Sequence, residues 1–196
     1  MLEFVERCVD AAPWAYEEKH EQVFVIVTRG EDGEWDTLKN ISGTSLCPAK
    51  RFFARTNAHL ITSAILFVRH MDAHHGVDLN ETMVHVSRGC DTPRWHTDGD
   101  HPLLRTIVSP LAAGHVRHTE FEAIACPYAN EGSGTYFSGD VTHRSPPETA
   151  EYYQRWFLRI RFSWKTQPDA QTERDALGSW RPPTILETSI AEQFKM

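Results

Sequence analysis

The chain has 196 residues, 40% of them hydrophobic and 24% charged, with a formal net charge of -7. That balance suits a globular domain long enough to bury a core, and it excludes a disordered or fibrous chain. An acidic surface repels phosphate backbones and anionic headgroups, so no nucleic-acid partner and no membrane partner is expected.

The opening stretch, MLEFVERCVDAAPWAYEEKH, reads as a short amphipathic helix and lacks the basic head and apolar run of a secretory signal. Cys8, Cys47, Cys90 and Cys126 form no Cys-x-x-Cys pair and no recognisable framework. Reduced thiols and a cytoplasmic location are therefore expected. QVFVIVTRG is apolar and β-branched and predicts a strand, and EDGEW after it predicts a turn. From about Pro48 to His75 the period becomes helical: Phe52, Phe53, Ala58, Leu60, Ile61, Ala64, Ile65, Phe67 and Val68 fall on one broad face, and Gly76 closes the element. The most apolar run inside it, LITSAILFV, is too short to cross a bilayer.

Beyond Gly76 come short strand candidates separated by Gly, Pro and Asp: ETMVHVS, LLRTIVSPL, HTEFEAIACP, GTYFSGD and RWFLRIRFSW. Their regular spacing predicts an all-β sandwich or small barrel with the helix packed outside. The segment from Thr166 onward is polar and contains RPP. It reads as peripheral, either a lid or an oligomer arm, and the oligomeric state is left open.

The chemistry concentrates in CDTPRWHTDGDHPLLRTIVSPL. On an extended chain His96 and Asp98 point the same way. A second histidine would complete the two-histidine, one-carboxylate face of non-haem Fe(II), which leaves half of an octahedron open to substrates and oxygen. The candidate is His143, in YFSGDVTHRSPP. In RWFLRIRFSW, alternation puts Trp156, Leu158, Ile160, Phe162 and Trp164 on one face and Arg155, Phe157, Arg159, Arg161 and Ser163 on the other. If the arginines look inward they need partners. A dicarboxylic cosubstrate gripped bidentately would supply them. The opposite arrangement, with the arginines on the wet face of an edge strand, stays open. A rival cluster, RHMDAHHG, places His70 and His74 at the spacing of helical zinc ligands beside Asp72 and His75. The favoured reading there is a solvated helix end, which suits the helix dipole.

The ordered series HTD, THRSPP and QRWFLRIRF resembles the Fe(II)/2-oxoglutarate-dependent oxygenases. The distal His followed by Arg-Trp-x-x-Arg is similar to the taurine dioxygenase and clavaminate synthase branch, and VHVSRGCDTPRWHTDGD is similar to the approach to the metal motif in prolyl-hydroxylase-like members. The spacing between metal motif and distal His is much shorter than in the former branch, so the chain would be a compact member. The resemblance covers roughly residues 83–164. It implies a mainly β fold, a double-stranded β-helix (jelly-roll) core with flanking α-helices. One oxygenase domain would span residues 1–196, with N-terminal helices and a strand over 1–76 and a peripheral C-terminal tail over 166–196. It further implies Fe(II) on His96, Asp98 and His143, 2-oxoglutarate as cosubstrate on Arg155 and Arg161, O2 as oxidant, and an anionic group of a small-molecule substrate on Arg159.

The implied activity is hydroxylation, desaturation or ring closure of a small carboxylate-bearing metabolite, such as an amino acid derivative. Asp98 fills the position that halogenating relatives leave vacant, which points away from halogenation. Two other classes stand beside this one: a cupin-like metal enzyme that needs no 2-oxoglutarate, and a metal-free jelly-roll module whose arginine face grips an anionic ligand. A nucleic-acid repair demethylase is disfavoured by the net charge.

Overall fold

The structure is a computed structural model that describes residues 3, 5–7, 22–27, 55, 58–88, 93–111, 119–122, 128–130, 134–145 and 156–181. In chain order the described elements are β1 (Gln22–Val27), α1 (Ala58–His75), β2 (Val77–Arg88), β3 (Leu104–Pro110), β4 (Glu120–Phe121), β5 (Tyr128–Asn130), β6 (Gly134–Ser138), β7 (His143–Arg144), β8 (Trp156–Trp164) and α2 (Ala170–Gly178). Glu3 and Val5, Glu6 and Arg7 also have helical backbone. The expected EDGEW turn, Phe52 and Phe53, the four cysteines and Arg155 lie outside the described residues.

Six strands form one antiparallel sheet in the order β1-β2-β8-β3-β6-β5. β4 and β7 form a second, smaller sheet, which a bridge between His96 and His143 extends by one chain segment. The mainly antiparallel β architecture expected from the strand spacing is therefore present. Starting from β2, the chain visits the large sheet, the small sheet at His96, the large sheet at β3, the small at β4, the large at β5 and β6, the small at β7 and the large at β8.

The alternation in RWFLRIRFSW decides which side of the large sheet is dry. Leu158, Ile160, Phe162 and Trp164 are all buried, in one core cluster with Leu60, Ile61, Ala64, Ile65, Val68 and Met71 of α1. Each such side chain taken out of water stabilises the fold by about 1.5–3 kcal/mol. The helical period of α1 supplies the matching stripe, while Leu66, off that stripe, is 51% exposed. Gly76 ends α1 at a φ of 73°, a left-handed turn that a residue with a Cβ adopts only under strain, and the chain enters β2 at once. The other face of the large sheet carries Arg159 and Arg161, with Val108 and Thr106 of β3 opposite them in register.

The sequence reading of residues 166–196 as peripheral needs correction over their described part. Residues 170–178 form α2, and Ala176, Leu177 and Trp180 belong to the core cluster. Asp169 caps the helix by accepting from the Thr172 N–H at 2.7 Å. A buried polar network fastens α2 to the sheet. The Glu173 Oε1 accepts from Arg105 Nε at 3.0 Å and from the Tyr136 hydroxyl at 2.8 Å, and that hydroxyl accepts from Trp164 Nε1 at 3.1 Å. Burial raises the Tyr136 pKa far above the ordinary phenol value, so the hydroxyl keeps its proton for Glu173. Trp180 Nε1 donates to Ser109 Oγ at 2.9 Å while its ring lies 4.8 Å from that of Phe67. Among the described residues no helix is long and apolar enough to cross a membrane.

Candidate metal centre

Two segments far apart in sequence meet through their backbones. The His96 N–H donates to the His143 carbonyl at 3.0 Å, and the His143 N–H donates to the His96 carbonyl at 2.9 Å. Residues paired in this way sit directly opposite and present their side chains to the same face. The two imidazoles accordingly lie with ring centroids 4.4 Å apart. Asp98, two residues on, returns to that face, and its N–H and that of Gly99 both donate to the Gly139 carbonyl, at 2.9 and 3.1 Å. The Gly139 N–H in turn donates to the Leu104 carbonyl at 2.9 Å. The crossing is tight at glycine: a Cβ at position 139 would stand 2.7 Å from Leu104 Cδ2 and 3.1 Å from the Gly99 oxygen, so the Leu104 side chain would have to shift.

The donor atoms of His96, Asp98 and His143 all lie within 4.8 Å of one another, and the three residues make a group able to hold a metal. His143 Nε2 is 3.8 Å from Asp98 Oδ1. Ligands about 2.0–2.2 Å from a shared ion lie about 3 Å apart when adjacent, so binding draws the trio slightly inward. The ring tautomers suit this role. Nδ1 of His96 is 2.9 Å from the Arg94 carbonyl, and Nδ1 of His143 is 2.9 Å from the Val141 carbonyl. A carbonyl only accepts, so each Nδ1 carries the proton and each Nε2 keeps its lone pair for a metal. The buried ring of His143 also packs against Phe137 at 4.7 Å and Phe121 at 6.1 Å, which fixes its plane and joins the two sheets.

Asp98 is held from both sides. Thr106 Oγ1 donates to its Oδ2, and an Nη of Arg159 donates to its Oδ1. The Asp98 side chain is 2% exposed and that of Arg159 is 13% exposed, so this is a largely desolvated ion pair. Arg159, which the resemblance assigned to a substrate anion, thus meets the Asp98 carboxylate of the candidate metal group. Arg161 follows it on the same face of β8, opposite Thr106, and its Nε is buried with no hydrogen-bond partner among the described residues. A donor withheld from water in this way costs about 1–3 kcal/mol unless an acceptor arrives. Sequence reasoning missed Thr106, Phe121 and Phe137. Their roles depend on which strands neighbour which, and only the alternation within LRTIVSP and GTYFS hinted at their orientation.

Comparison with protein-family models and with curated proteins gave no match.

Proposed function

We propose that the chain is an Fe(II)- and 2-oxoglutarate-dependent oxygenase, cytoplasmic, acting on a small carboxylate-bearing metabolite, with a double-stranded β-helix core. The observation that carries this reading is the convergence of His96, Asp98 and His143 beside the arginine face of β8. The strand order supports the jelly-roll part, because a chain that alternates between two packed sheets from β2 to β8 is the pattern of that fold.

The donor set fits Fe(II): two imidazole nitrogens and one carboxylate, covering one side of an ion and leaving the other accessible. Bound there, the iron supplies the oxygen activation that couples conversion of 2-oxoglutarate to succinate with oxidation of a substrate C–H bond. The protein's share is placement. The backbone bridge and the two Nδ1–H bonds aim the imidazoles, and Thr106 and Arg159 aim the carboxylate. Asp98 brings one negative charge, whereas Arg159 and Arg161 bring two positive ones. The site is cationic before any metal enters, which favours an anionic cosubstrate. Arg161, with Arg155 as its expected companion, grips the 2-oxoglutarate carboxylates, and Phe121 and Phe137 keep water from the far side of His143.

Purified protein given Fe(II) is expected to consume 2-oxoglutarate and release succinate, and His96→Ala is expected to abolish both. Turnover that survives His96→Ala overturns the proposal. Arg161→Ala should raise the 2-oxoglutarate requirement at least tenfold, whereas a cupin-like enzyme independent of that cosubstrate would not respond.

One observation favours a second reading. Arg159 and Thr106 already satisfy the Asp98 carboxylate without a metal, as they would in a module that only grips an anion. Anaerobic reconstitution separates the two readings: about one Fe(II) per chain supports the oxygenase, and none supports the module.

A further inference from the structure

A second histidine cluster lies outside the centre described above. At the C-terminal end of α1, His70 and His74 stand one helical turn apart with ring centroids 4.5 Å from each other. The His75 ring is 5.9 Å from that of His70 and 6.4 Å from that of His74. His70 and His74 are exposed and His75 is half-buried, so an ion reaches the group from solvent without any opening of the fold. Asp72, within the same turn, is engaged elsewhere, in an ion pair with Lys165 at 2.7 Å.

The helix dipole explains one cationic side chain in a last turn, but not three imidazoles crowded together. Protonating one opposes protonating the next, and burial together with His70 and His74 pushes the His75 pKa below its ordinary 6.5, against a smaller opposing pull from Asp175 of α2. His75 is thereby held toward its neutral form beside the pair. Two imidazoles at i and i+4 can share one ion at about 2.0–2.1 Å each.

We propose that His70 and His74 form a two-imidazole surface site for a borderline transition-metal dication of the zinc, nickel and copper class, with solvent completing its coordination. The all-nitrogen donor set separates it from the carboxylate-bearing centre at His96, Asp98 and His143, and the affinity order of first-row dications favours these ions over Fe(II) at such a site.

The test uses the full-length chain and Zn2+ alone, titrated by calorimetry at pH 7.5. His70→Gln and His74→Gln replace exposed positions with a good helix former, and circular dichroism checks that α1 is retained. Each is expected to weaken one Zn2+ binding step at least tenfold, while His96→Gln leaves that step intact and weakens the other. The step should also fade below pH 6 as protons compete for the imidazoles. Zn2+ isotherms of His70→Gln and His74→Gln that superpose on that of the wild type overturn the proposal and leave the cluster as a solvated helix end.

Discussion

Asp98 is held through both carboxylate oxygens: one takes the Thr106 hydroxyl and the other takes Arg159, with the side chain 2% exposed. The Thr106 side chain reaches the site through the carboxylate it orients. Groups of this kind commonly change metal affinity about 10–100-fold when removed. Thr106→Val is expected to weaken Fe(II) binding by that order in an anaerobic titration, and Thr106→Ser to restore most of it. His96 and Asp98 were legible in the sequence because an extended backbone returns every second side chain to one face. Thr106 was not, because its meeting with Asp98 depends on the fold between them, and no periodicity in LRTIVSP reports that. The pairing of Arg159 with Asp98 was hidden for the same reason. Alternation told which residues share its face, not what that face looks at.

At the scale of elements, β8 and α1 were the readable parts. The alternation of β8 from Leu158 to Trp164 and five turns of helical period leave little freedom about which side is buried, although Phe157 on the arginine face is buried as well. β4 and β7, two residues each, are too short to show any period, and they form only because neighbouring chain is already in place. α2 escaped notice because most of its nine residues are polar, although Asp169 before it and Gly178 at its end are the ordinary start and stop marks. The Asp169 carboxyl is held below its ordinary 3.8, first by the Thr172 backbone N–H. A depressed acid stabilises the folded state above that ordinary value and loses the contribution as pH falls through the lower folded one. Docking of α2, followed by Trp180 fluorescence, should therefore loosen in acid, and Asp169→Asn should flatten that acid limb. Gly139 joins two elements at their closest approach. Gly139→Ala must displace the Leu104 side chain and press on the Gly99 carbonyl, at a cost of about 1–3 kcal/mol in urea unfolding. The same change should weaken metal binding, since the Gly139 carbonyl holds Asp98 and Gly99 by their N–H groups.

Over the whole molecule the large sheet separates two environments. On one side lie α1, α2 and the apolar half of β8; on the other lie the arginines and the link to the small sheet. The β-rich character and the placement of α1 could be read from the sequence, but the order in which strands pair could not, because it depends on closing long loops that local pattern does not encode. This division makes damage separable. Leu158→Ala, on the dry side, is expected to cost about 2–5 kcal/mol in equilibrium unfolding, while the folded fraction binds Fe(II) with unchanged stoichiometry.

The reciprocal backbone bridge between His96 and His143 has a consequence for length variation in this chain. Inserting or deleting one residue between Gly139 and His143 would shift the reading frame of the ribbon, so that the imidazole at 143 swaps sides with Thr142 or Arg144. The six-stranded framework would survive such a change, yet the trio could no longer assemble. The length of the loop is thereby fixed by the meeting of the three side chains rather than by the strand framework.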